Sequence, residues 1–389
     1  GGSATHTWSA AIEVAENATA TIYATANIRV GSAYQPQLNL TGKLTGSSSS
    51  VLNVRASTAS YAYRGITLSG DCEDFYGTLY LYQPEKSVNR MAIEFDNSNL
   101  SNATLRLNTN NSGSFMRLIH VSDVIRFGSI KGNIYGAATS TVRAHNYIEI
   151  GHLNQADDNI GGSLVDNTGD RMPYLRKVGT GTLTTSVTDF YGYILNGGTL
   201  IVTADAAKAE VTTEKAGYEV VSTPNYDTDG ETVLSTTYTL NQTGIVPGST
   251  SATEYPTKEA AETAAASYSI VLTSAQEEQG LAASYYKKTV ASGKTEGTYV
   301  VEVVLDKDVV GVGLGEEATA AVSDSAVTIT VTNLKPGLCY RIVSGSSADG
   351  MTTVGAWSDY YNGSNAPTLS AALPDSGVMF YSVEASDTK

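Results

Sequence analysis

The chain has 389 residues, 41 % of them hydrophobic and only 16 % charged, with 37 glycines and 24 tyrosines. That is enough apolar material for a core, and the shortage of charge points to an extracellular protein of short strands and tight turns rather than a helical enzyme. A formal net charge of −15 with no block of Lys or Arg excludes the basic footprint that nucleic acid or an anionic membrane surface requires.

The start, Gly1-Gly2-Ser3, has no initiator Met and no apolar leader, and reads as that of a mature or trimmed chain. No apolar run reaches the ~18 residues of a membrane-spanning helix. Two cysteines, Cys72 and Cys339, are too few for a disulfide scaffold and leave the redox compartment unread. From Leu38 to Leu153 a short pattern returns at nearly constant spacing. Val54, Leu79, Leu105 and Ile130 are 25, 26 and 25 residues apart, and Leu40, Ile66, Ile93 and Leu118 step by 26, 27 and 25. Asp71, Asn97, Asp123 and Glu149 recur every 26. Repeats at this interval announce a solenoid. Runs such as Thr78-Leu79-Tyr80-Leu81-Tyr82 alternate apolar with polar or aromatic residues, the period-2 signature of a half-buried strand. Two or three such strands per interval make one coil of a right-handed parallel β-helix, with glycine-rich turns such as Tyr76-Gly77 and Phe127-Gly128 between them.

The segment Val178 to Ala206 reads VGTGTLTTSVTDFYGYILNGGTLIVTADA. It resembles the passenger-type β-strand repeat of bacterial autotransporter-like secreted proteins, which implies fold and secretion but no chemistry. Residues 206–256 lose the regular interval and pass through Pro224, Asp227-Thr228-Asp229-Gly230 and Pro247-Gly248. From Thr257 an alanine-rich helix is predicted with Thr257 as its N-cap, and a second short helix after Ser274. The strands TYVVEVVLD, VTITVTNL, LCYRIVSG and VMFYSVEAS predict an antiparallel, sandwich-like β domain over 257–389. The expected fold is therefore all-β: a parallel β-helix over 1–205, a transition segment, and a small C-terminal β-rich domain with short helices.

Parallel β-helices host polysaccharide lyases and hydrolases, so the acidic residues matter. Asp157-Asp158 lies near His152, with Arg126 and Arg171 as helpers, but Gly151-His152 precedes the acidic pair on the same coil, the wrong order for the polygalacturonase pattern. No catalytic residue is assigned, and the chain reads as a non-enzyme. Asp71, Glu73 and Asp74 form a compact acidic group that could take calcium, with solvated turn carboxylates as the plainer account. Asp227-Thr228-Asp229-Gly230-Glu231 opens like a calcium loop but has Tyr238 at the twelfth position. The four histidines show no zinc spacing.

Twenty-four tyrosines against six phenylalanines and two tryptophans imply rings at the surface with wet hydroxyls. Sugars stack their C–H faces on such rings while their hydroxyls pair with Arg, Asn, Asp and Glu. If Leu79 and Leu81 face inward, Tyr80 and Tyr82 face out, and Arg55, Arg106 and Lys131 fall at positions equivalent to Tyr80, with Asn108 and Asn133 flanking Tyr82. A second row is expected from Arg64, Arg90, Arg117 and Arg143, with Tyr61 and Tyr63 at its start. These are the candidate carbohydrate-binding residues, and Trp357 with Tyr360 and Tyr361 is a rival platform. In make-up the chain resembles the β-helical, xylan-binding carbohydrate-binding modules found beside xylanases in gut bacteria: coils of about 25 residues, abundant tyrosine and acidic charge. The resemblance implies a secreted or cell-surface module that binds a plant cell-wall polysaccharide, xylan first, attached to an endo-xylanase domain. The rival readings are a structural adhesin-type stalk and a polysaccharide lyase or hydrolase.

Overall fold

The computed structural model describes residues 6–24, 38–56, 64–82, 91–95, 99–108, 116–120, 124–135, 147–163, 173–187, 190–203, 210–310, 318–322, 326–331, 334–345, 352–353, 355–364, 367–372 and 380–389. The chain is predominantly β and divides into two compact units. One comprises Gly1–Lys215 with Glu219–Asn241, the other Ala216–Tyr218 with Gln242–Lys389.

In the first unit strands pair in parallel with strands one interval away in the chain. One sheet takes His6–Trp8, Leu38–Leu40, Arg64–Leu68, Met91–Phe95 and Met116–His120 in that order. The larger sheet runs through Thr19–Ala24, Val51–Ala56, Thr78–Tyr82, Asn99–Asn108, Val124–Tyr135, Asp158–Ser163, Thr182–Thr185 and Thr199–Thr203, all parallel. A branch from the first half of Val124–Tyr135 adds Tyr147–Ile150, Tyr174–Lys177, Gly192–Leu195 and Val211–Thr212. The last parallel strand, Thr199–Thr203, is joined by Val233–Gln242 in antiparallel register, with Tyr218–Tyr226 beside that.

Alternation sorts the side chains. Leu52, Leu79, Leu105 and Ile130 share one register row and are 0–1 % exposed, and Leu81 and Val54 share the next buried one. Phe95 and Phe127 meet edge to face at 5.3 Å in the same core. The spacing differs from the sequence expectation at the first coils. Leu79 pairs with Leu52 rather than Val54, and Ile66 pairs with Leu38 rather than Leu40. Each slip is two residues, and because the pleat has period two it preserves which face a residue occupies while changing its neighbour.

Two charges break the apolar rows. Asp158 follows Ile130 and precedes Leu183 in the buried register, and is 1 % exposed. It is therefore a strand residue turned into the core. Its Oδ1 accepts from the Ser129 hydroxyl at 2.5 Å and the Ile130 N–H at 3.2 Å, and burial raises its carboxyl above the usual value. Lys177 sits between Ile150 and Leu195 and is fully buried. Its ammonium donates to the carbonyls of Val178, Gly179 and Gly197, the latter two at 3.3 and 3.4 Å. Room for it comes from Gly151, where a Cβ would lie 2.9 Å from Nζ on a backbone with φ +116°.

The second unit holds an antiparallel pair, Tyr286–Ser292 with Tyr299–Leu305, and two three-stranded sheets built on Ala326–Val331 and Cys339–Gly345. Its apolar core includes Val301, Val303, Ile329, Leu338, Tyr340 and Ile342. The helix Lys258–Ala265 starts at Thr257, whose side chain accepts from the Ala260 N–H, and Ser274–Glu278 starts at a capping box of Thr273 and Gln276. Cys72 and Cys339 are both buried, and neither is in a disulfide. Among the described residues no helix is long and apolar enough to cross a membrane.

Burial lowers the Lys177 amine from 10.5 to about 8, against the pull of Asp158. Between those two pH values the unfolded chain holds a proton that the folded one has released, so stability rises with pH across the window and the cost is present in full below about 8. Lys177→Met removes this term: the difference in unfolding free energy between wild type and variant shifts by about 3 kcal/mol from pH 7 to 10.5, read by urea denaturation, and a constant difference contradicts the assignment.

Candidate functional site

The outward side of the larger sheet carries one continuous register row: Thr21, Asn53, Tyr80, Arg106, Lys131, Asn159 and Thr184. Three of the expected residues, Tyr80, Arg106 and Lys131, are thus adjacent on successive strands. The fourth, Arg55, is corrected: it pairs with Tyr82, and Asn53 takes the place beside Tyr80. Asn108 pairs with Tyr82 on the other side, as the repeat predicts. The side chains of Arg55, Arg64, Tyr82, Asn108, Arg117 and Asn133 are outside what is described, as are Tyr61, Tyr63, Arg90 and Arg143 altogether. The expected arginine row does not hold at the backbone level. Arg64 is in register with Met91 and Met116, whereas Arg117 is in register with Ala92 and Gly65. Arg64 and Arg117 are one step apart, and a one-residue slip changes face.

Around the row lies an open groove of about 570 Å³, lined by Thr78, Tyr80, Thr104, Arg106, Lys131 and Gln155 among others. Gly132 keeps its floor low, since a Cβ there would sit 2.0 Å from the Leu107 carbonyl oxygen at φ +117°. Tyr80 is half-buried, and the exposed Arg106 guanidinium lies 5.1 Å from its ring centroid, within cation–π range. Lys131 donates to Asp157 Oδ2 at 2.6 Å, and that contact holds the Asp157 carboxyl below its usual value. Among the described residues Arg106 has no carboxylate partner. Gln155 escaped the sequence reading, and Asp157 was weighed there only with Asp158 and His152, because both come from the turn before Asp158–Ser163, where no strand alternation places them.

The branch sheet presents a different wall. Glu149 Oε1 accepts from His152 Nε2 at 2.9 Å and Arg126 Nε at 3.2 Å, and Oε2 from Arg176 Nη1 at 3.3 Å. Arg176 continues to Glu214 at 2.8 Å, which also takes Asn196 Nδ2 at 2.9 Å. The His152 hydrogen bond foremost, with Arg176 adding, outweighs burial and holds the Glu149 carboxyl below the usual range. Beside this network Tyr147 and Tyr174 stack at 5.5 Å, Arg176 covers the Tyr147 ring at 4.0 Å, and Tyr191 meets Tyr174 edge on. Tyr147 and Tyr174 are 27 residues apart, so the repeat interval was the signal that could have found them. Tyr191 follows a shorter interval, with Tyr174 in register with Gly192, and carried no such signal.

The remaining candidates separate. Asp157 binds Lys131, Asp158 is buried on Ser129, and His152 and Arg126 both serve Glu149, so the residues weighed for catalysis face three different partners. Arg171 lies outside the described residues. The weak calcium candidate is corrected too. Lys43 lies 3.5 Å from Asp71 and pairs more closely with Asp74, while Glu73 accepts from Asn99 at 2.9 Å. Among the described residues no group of three His, Cys, Asp or Glu is placed to hold a metal ion. In the second unit Trp357 is half-buried beneath the Arg341 guanidinium at 4.2 Å, which Glu384 clamps at 2.9 and 3.0 Å. That ring is not an open platform.

Fold and surface together define a β-rich protein of parallel-stacked strands with a polar, tyrosine-containing groove across three of them. No protein-family model, no curated protein and no solved structure matches the chain.

Glu149→Gln leaves two guanidiniums without their shared carboxylate and destabilises the fold by about 1–2 kcal/mol at pH 7. Because the folded carboxyl is held low, its stabilisation is present above the usual carboxylate value and disappears as pH falls through the folded one. Urea melts of both proteins from pH 7 to 3 should converge on acidification, and a gap that persists at pH 3 is the contrary result.

Proposed function

We propose that the first unit is a right-handed parallel β-helix and that the chain is a non-catalytic carbohydrate-binding module of a secreted or cell-surface protein. In-register parallel pairing over successive intervals supports the coil reading, and crossovers between parallel strands of one sheet are almost always right-handed. The ligand is a plant cell-wall polysaccharide, xylan foremost, and the partner is an attached glycoside hydrolase domain of endo-xylanase type. The second unit is read as a sandwich-like companion domain.

One observation carries the reading: the groove over Thr78–Tyr82, Asn99–Asn108 and Val124–Tyr135 gathers an aromatic ring, hydroxyls, an amide and cations on adjacent strands. Strands about 4.8 Å apart give an extended surface matched to a polymer rather than to a compact metabolite. Repeated weak contacts along such a chain add avidity by effective concentration. The stalk reading draws on the other wall, where Arg126, Glu149, Arg176 and Glu214 neutralise one another and leave little to offer a ligand.

Affinity electrophoresis in gels cast with xylan, mixed-linkage β-glucan or pectin tests the proposal. Xylan should retard the protein, and Tyr80→Ala should weaken the retardation about tenfold, with unchanged mobility in a blank gel. Wild-type mobility unaffected by all three polymers rejects binding and leaves the stalk. Release of reducing ends or unsaturated products in a parallel assay would point instead to an enzyme.

A further inference from the structure

Within the groove the charges are unequally satisfied. Lys131 is neutralised by Asp157 at 2.6 Å, whereas the exposed Arg106 guanidinium meets a tyrosine ring and, among the described residues, no carboxylate. Elsewhere in the described parallel stack the arginines whose side chains are placed, Arg126 and Arg176, both reach Glu149. Arg106 is therefore the exception, in a chain whose net charge of −15 offers abundant carboxylates. The Arg106 guanidinium lies over the Tyr80 ring at 5.1 Å, within cation–π range. A planar fork of N–H donors in that setting is matched to a carboxylate, which it can bind through two parallel hydrogen bonds.

Resting on the glycan-binding reading, we propose that the groove selects an acidic glycan, with the carboxylate of a uronic acid unit bound by Arg106. Thr78, Thr104 and Gln155 then meet the hydroxyls of the same and neighbouring sugars, and the Lys131–Asp157 pair lies at the next strand as a neutral donor–acceptor edge. Arg106 also alters the part played by Tyr80. The ring supports the guanidinium instead of presenting both faces to sugar, so the first group an incoming chain meets is the cation. The overall acidity of the protein disfavours a uniformly charged polyanion at long range, which fits a polymer carrying occasional uronate branches on a neutral backbone.

The test compares glucuronoxylan with the same polymer after its carboxylates are reduced to alcohols, using the full chain in affinity electrophoresis and calorimetry. Wild type should bind the acidic polymer about tenfold more tightly than the reduced one, and only the acidic interaction should weaken as salt rises from about 20 to 500 mM. Arg106→Gln should abolish the preference, so that the acidic and the reduced polymer bind alike, and Arg106→Lys, which retains charge but not the fork, should restore it only in part. Equal binding of the two polymers by wild type, with no salt dependence, overturns this inference and leaves the broader glycan reading intact. Binding of neither polymer overturns both. The salt dependence of wild type decides the matter even if the Arg106 variants fold poorly.

Discussion

The structure of the first unit depends on one constraint: through most of it, each strand lies in parallel register with a strand one interval away in the chain, so identical depths recur at the same lateral position. Backbone donors and acceptors are satisfied between neighbouring strands, and side chains are sorted in rows across the sheet. Leu52, Leu79, Leu105 and Ile130 make the core row, and Asn53, Tyr80, Arg106 and Lys131 the outward one beside it, from buried Asn53 through half-buried Tyr80 and Lys131 to exposed Arg106. A groove crossing three strands is a direct product of this sorting, because residues far apart in sequence become neighbours at the strand spacing.

Much of this was legible in the sequence because its signals are periodic. The alternation in Thr78–Tyr82 assigned Leu79 and Leu81 to the core, and the interval of 26 put Arg106 next to Tyr80. What failed was register where the interval between paired strands is longer, as between Leu52 and Leu79. Arg55 was displaced by two residues and kept its parity, so the error changed a neighbour, whereas Arg117 was displaced by one relative to Arg64 and the imagined arginine row dissolved. Turn lengths are set by local packing that periodicity does not encode. The inward placement of Asp158 was hidden for a different reason. A carboxylate beside Asp157 looks like turn chemistry, and only the Ser129 hydroxyl and the Ile130 N–H make its burial tolerable.

The outer wall is chemically divided. Around Glu149 each charge has an opposite partner within 3.3 Å, and two tyrosine rings stack on each other, so the surface is spent on its own cohesion. Around Arg106 the balance is left open. The same architecture thus supplies a self-satisfied face and a receptive one, and the proposed binding function concerns only the latter. The C-terminal platform built on Trp357 belongs to the first kind, since Arg341 and Glu384 close over it.

The antiparallel strand Val233–Gln242 has a meaning for the whole stack. A sheet of parallel strands ends in a row of unpaired amides and carbonyls on which another chain could continue the pairing. Here Thr199–Thr203 hands that row to a strand running the opposite way, and beyond it lies Tyr218–Tyr226, most of whose residues face solvent on both sides. The reversal of direction breaks the template. At this edge the parallel template stops, and the exposed strand beyond it offers a poor surface for a further strand.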